Sequence, residues 1–105
     1  MFMRVTWGKI KAGQWEGYEK AYKEATSLTK DAEGLQGRYL VRDLEDPDAG
    51  FSITLWDSEE NMRGYRDNDV FKEKVLPLVE PFFVDKYTTT FCEVKSADDG
   101  EPSVR

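Results

Sequence analysis

Residues 1–95 are predicted to form one α+β domain of the β-α-β-β-α-β kind, with an antiparallel sheet carrying two helices on one face. Three observations lead there. The hydrophobic period alternates between two and three-to-four residues in the order strand, helix, strand, strand, helix, strand. Only a turn-rich link of hairpin length separates the two middle strands. The 105 residues are the size of a single domain, and no repeat or linker divides them.

Phe2 to Ile10 read as the first strand. Phe2, Met3, Val5, Trp7 and Ile10 are apolar or aromatic, with Arg4, Thr6 and Lys9 between them. Lys11-Ala12-Gly13 breaks the pattern. From Gln14 to Leu28 the period is helical, with Trp15, Tyr18, Tyr22, Ala25 and Leu28 on one stripe. Leu35 to Leu44 is the second strand; Tyr39 and Val41 share one face, Arg38, Leu40 and Arg42 the other. The turn at 45–50 leads to a third strand, Phe51 to Trp56. Ser58 then suits a helix N-cap, and Glu59 and Glu60 suit the positive helix start. That helix runs to about Arg66, with a break at Asp67-Asn68 and a further helical stretch carrying Val70, Phe71, Val75, Leu78 and Val79. Pro77 predicts a kink within it. Phe82 to Val94 is the last strand, strongly β-forming around Tyr87-Thr88-Thr89-Thr90-Phe91. Residues 96–105 are polar with Gly and Pro and read as a disordered tail. The strands carry bulky residues on both faces. Two helices cover only one face, so a second copy of the chain is the expected cover for the other.

Composition removes several function classes. Fifteen basic against twenty-one acidic residues leave a net charge of −6, which repels nucleic acid and anionic membrane surfaces. The chain has no histidine and one cysteine, Cys92. Histidine triads, HExxH-type zinc sites and thiolate clusters are therefore excluded, and no metal is expected. A lone cysteine, the lack of an apolar leader and the lack of a membrane-length run point to the cytoplasm. The aromatic share of 13% can build a core or line a pocket for a flat ligand.

The stretch ITLWDSEENMRGYRDNDVFKEKV, Ile53 to Val75, together with LQGRYLVRDL before it, resembles the antibiotic biosynthesis monooxygenase family. The resemblance extends to about Val94. It implies a ferredoxin-like fold paired as a dimeric α/β barrel, with a pocket in each protomer between its own sheet and helices. Some family members oxidise quinols or polyketide phenols with O₂ and no cofactor, and a branch binds and degrades haem. The resemblance places that branch's iron-ligating histidine at Val75, its ring-distorting tryptophan at Tyr65 and its strand-one asparagine at Thr6 or Trp7. The ligand is absent here, so no cofactor is expected, and haem handling stays as a third reading only if another residue, such as Tyr65, ligates iron.

The resemblance thus implies a cofactor-independent monooxygenase-like protein for a small aromatic or phenolic substrate. Tyr65 and Arg38 are the candidate catalytic groups, with Arg66, Thr6 and Asn68 as other polar candidates. Thr6, Tyr22, Trp56, Phe71 and Val75 are the candidate pocket wall. Each has a structural alternative. Trp56 can anchor packing at the strand end, Tyr65 can reach water at a rim, Arg38 can be solvated or ion-paired, and the Trp15-Tyr18-Tyr22 stripe can be helix packing alone. A non-catalytic dimeric small-molecule binder is the rival reading, since no general base is evident.

Overall fold

The computed structural model describes residues 1–98 of the chain. Its elements are β1 (Phe2–Lys9), α1 (Trp15–Ser27), β2 (Leu35–Arg42), β3 (Ala49–Trp56), α2 (Glu59–Gly64), α3 (Leu76–Val79) and β4 (Thr88–Glu93). The four strands form one sheet in the order β2-β3-β1-β4, and every neighbouring pair is antiparallel. This is the ferredoxin-like α+β fold expected from the element order.

The register sorts the side chains into two layers. Arg4 lies opposite Thr54 and Phe91, and Thr6 opposite Ser52 and Thr89. These residues face the helices. Val5 lies opposite Ile53, which lies opposite Tyr39, and Trp7 opposite Phe51, which lies opposite Val41. These form the outer face. The core sits between the inner layer and the helices, around Ile10, Tyr18, Ala25, Trp56, Met62 and Val79.

Several boundaries follow from local chemistry. β2 stops at Arg42, short of the expected Leu44, because the Asp43 carboxylate accepts the Glu45 N–H and turns the chain. Leu44 is left 91% exposed. Gly34 takes a positive φ of 82°, and an added Cβ there would run into the Asp57 and Asn61 side chains. The Ser58 hydroxyl caps α2 by accepting the Asn61 N–H at 3.1 Å. Leu28 stands just past the end of α1 and is half exposed, so it leaves the expected apolar stripe.

The second helical stretch, which begins with α2, is broken into several pieces. A 3-10 turn at Tyr65–Asp67 ends at Asn68, whose side chain accepts the Phe71 N–H at 3.1 Å. A π-helical segment, Phe71–Val75, then precedes α3. Pro77 lacks the N–H that would close an α turn on Glu73, and the widened turn lies directly before it. The last strand is shorter than expected. A 3-10 turn holds Glu80–Phe82, Phe83 makes only an isolated bridge to Ile10, and a bend at 84–85 carries the chain off the sheet edge until Thr88. The tail expected over 96–105 lies from residue 99 onward outside the described residues, and 96–98 carry no regular structure.

Candidate functional site

A cleft lies between the inner face of the sheet and the helices. Its floor comes from Arg4, Thr6 and Gly8 of β1, Arg38 and Leu40 of β2, and Ser52 and Thr54 of β3. α1 supplies Trp15, Tyr18 and Tyr22, and the second helical stretch supplies Tyr65, Phe71 and Val75. The empty space, counted out to the open mouth, is about 670 Å³. Water centres can occupy about 60 Å³ of it, roughly four to six water-sized spheres. The cleft is therefore a slot, suited to a thin molecule.

Two aromatic groups build its walls. Tyr65 packs on Phe71 with ring centroids 4.5 Å apart, and Trp56 stands behind Tyr65 at 5.2 Å. Tyr18 meets Trp15 at 5.3 Å and Phe83 at 5.6 Å. The offset and edge-on geometries are those that aromatic quadrupoles favour.

Hydrogen bonds join most of the polar groups. Arg38 donates from Nη1 to the Thr26 carbonyl at 2.9 Å and from Nη2 to Thr29 Oγ1 at 3.2 Å. Thr29 Oγ1 in turn hydrogen-bonds with the Tyr65 hydroxyl at 2.9 Å. The Tyr22 hydroxyl pairs with Ser52 Oγ at 2.7 Å, and Thr6 pairs with Thr89 at 3.0 Å. Burial raises the Tyr18 and Tyr22 hydroxyls above the ordinary phenol range, with the Ser52 hydrogen bond partly opposing the shift at Tyr22. Both stay protonated at neutral pH, so neither serves as a base there.

Arg4 differs from the rest. Its guanidinium lies 5.4 Å from the Phe71 ring centroid and 5.8 Å from that of Tyr65. Its Nε is buried without a hydrogen-bond partner. Burial lowers its pKa from the usual arginine value, with the neighbouring Tyr65 opposing that shift.

Of the residues singled out from sequence, Tyr65, Arg38, Thr6, Tyr22, Phe71 and Val75 all line the cleft. Trp56 does not. It is 1% exposed and sends its Nε1–H to Thr54 Oγ1 at 2.8 Å, so it supports the Tyr65 wall from behind. Asn68 is occupied in capping the helical turn at 69–70 that leads into the π-helical segment, where it accepts the Phe71 N–H. Sequence reasoning passed over Arg4, Thr29 and the lining role of Trp15 and Tyr18. A signal for Arg4 was available: it shares its phase on β1 with Thr6 and with Ile10, which is buried.

The lining does not fit haem. Val75, at the position of the haem branch's iron ligand, is aliphatic and 4% exposed, and no histidine exists in the chain to replace it. Among the described residues no cluster of acidic or cysteine side chains could hold a metal ion, and no helix is long and apolar enough to cross a membrane.

Comparison with known proteins supports the fold. A protein from Bordetella bronchiseptica, described as a candidate antibiotic biosynthesis monooxygenase, is 23% identical and superposes with a TM-score of 0.80 over 91% of this chain and 97% of its own. A conserved protein from Methanosarcina mazei Go1 is 20% identical, with a TM-score of 0.76 over 90% of this chain and 94% of its own. A variant of MhuD, holding two manganese protoporphyrin IX molecules per active site, is 17% identical, with a TM-score of 0.80 over 95% of this chain and all of its own. No curated protein sequence matches the chain. The sequence model for antibiotic biosynthesis monooxygenase matches residues 1–75, from β1 through the π-helical segment that closes the cleft, and the chain belongs to that family.

Proposed function

We propose that the protein is a cofactor-independent monooxygenase acting with O₂ on a small, flat phenolic substrate, of the quinol or polyketide kind. The observation that carries this reading is the slot itself: aromatic walls, with a hydroxyl and guanidinium network opening onto one space. An electron-rich phenol reacts with O₂ most readily as its anion. A nearby cation favours that anion. One oxygen atom then forms a C–O bond at the ring carbon, and the other leaves as water as the O–O bond breaks. The substrate supplies both hydrogens of that water and ends as a quinone. Tyr65 and Arg38 are the polar groups assigned to the substrate oxygens, with Thr29 linking them.

The test is oxygen uptake by purified protein with a panel of hydroquinones and polycyclic phenols. Protein-dependent uptake that falls about tenfold or more in Tyr65→Phe or Arg38→Ala is expected, the size for loss of one positioned donor. No uptake above the autoxidation blank across the panel would remove the oxygenase reading. A specific observation favours a second reading, a non-catalytic binder: no Asp, Glu or Cys lines the slot to serve as general base. The same reading takes the protein to be a cytoplasmic homodimer, supported by its lone cysteine and its uncovered outer sheet face.

A further inference from the structure

We infer that the slot is built for a ligand that arrives as an oxyanion, with Arg4 as the residue that selects it. This rests on the reading of the slot as a site for a flat aromatic molecule. Arg4 and Arg38 both line the slot, and no Asp or Glu does. Arg4 forms no hydrogen bond or ion pair with any described residue. Burial, the largest influence on its charge, disfavours it, and the neighbouring Arg66 does so as well. Arg4 is partly buried, with its Nε fully so, and a cation held there without a carboxylate partner carries a desolvation cost. The Tyr65 and Phe71 rings offset part of that cost through their faces, but they leave the buried Nε–H without an acceptor.

The donor inventory points the same way. Trp15 also lines the slot, and its indole N–H is buried without an acceptor. Tyr22 and Thr6 have already found partners of their own, in Ser52 and Thr89. What the slot leaves unmet is therefore acceptor capacity, at the Trp15 N–H and, beside a positive charge, at Arg4. A flat conjugated body with a delocalised oxyanion supplies both. That oxyanion is either an acidic hydroxyl ionised to its enolate or phenolate, or a ring carboxylate. Arg4 is thus a specificity residue. A substrate already ionised on entry also explains a slot without a base.

Calorimetric titration at neutral pH tests this with three probes: hydroxynaphthoquinone, which is present as its enolate, its neutral methyl ether, and naphthoate. The wild-type protein is expected to bind at least one of the two anions about 10- to 100-fold more tightly than the ether, the worth of a charge-assisted hydrogen bond. Arg4→Met should abolish that preference and leave the ether unchanged, and Arg4→Lys should keep part of it. Arg4-dependent binding of the enolate alone assigns an acidic hydroxyl, and of naphthoate alone a carboxylate. Equal binding of the ether and both anions by the wild type overturns the inference, as does a preference that survives in folded Arg4→Met. If Arg4→Met does not fold, the wild type and Arg4→Lys decide alone. Arg4-dependent anion binding without oxygen uptake sinks the oxygenase reading and leaves this inference standing. Oxygen uptake with no anion preference does the reverse.

Discussion

A single arginine on the inner layer of a small sheet is an expense to the fold, and Arg4 illustrates what that implies. Its neighbours are rings and its Nε lacks a partner, so removing the charge relieves a desolvation cost without stranding an opposite charge. Arg4→Met is therefore expected to raise the Tm of the ligand-free protein by about 4–8 °C, equivalent to about 1 kcal/mol in a domain of this size. A thermal melt followed by circular dichroism measures it. A lower Tm would show that the cation stabilises the empty slot. Tyr65 and Arg38 were legible from sequence as slot residues because they stand in or beside the family stretch. Their connection through Thr29 was not, since Thr29 lies in a loop and meets Tyr65 only across a separation of 36 residues.

At the scale of elements, β3 decides how closely α1 can approach the sheet. A Cβ at Gly50 would collide with the Val41 carbonyl and with the Trp15 ring. Gly50→Ala should cost about 1–3 kcal/mol, the usual penalty for overpacking, and chemical denaturation would report it. An unchanged midpoint would mean that β2 and Trp15 yield freely, and that Gly50 does not set the width of the slot at that end. Element order and type could be read because periods of two and of three-to-four residues are local properties of the chain. The shortened β4 could not. Phe83 and Val84 still meet the end of β1 through an isolated bridge, but the bend at 84–85 breaks the pairing until Thr88.

For the whole molecule, the decisive feature is the outer face of the sheet. Trp7 is 36% exposed, Tyr39 56% and Val41 39%, and Phe51 and Ile53 lie among them in register. Exposed aromatic and aliphatic side chains on a continuous sheet face favour self-association. The protein should run at twice the 12.1 kDa chain mass in light scattering at micromolar concentration. Ile53→Lys should shift it toward the monomer, because the face would then bury an unpaired charge. A wild-type monomer at that concentration would rule out the homodimer.

The sequence by itself determined the element order, the ferredoxin-like class and the chemistry that cannot occur without histidine. Each of these depends on which residues are present and how they are spaced. Tertiary structure alone decided which face of β1 turns inward. A strand presents both faces with the same period, and the more apolar set, Met3, Val5 and Trp7, is the one left outside. Arg4 and Thr6 were thereby carried under the helices. That inversion places a cation among aromatic rings, and only the packing of α1 and the π-helical segment against the sheet could bring it about.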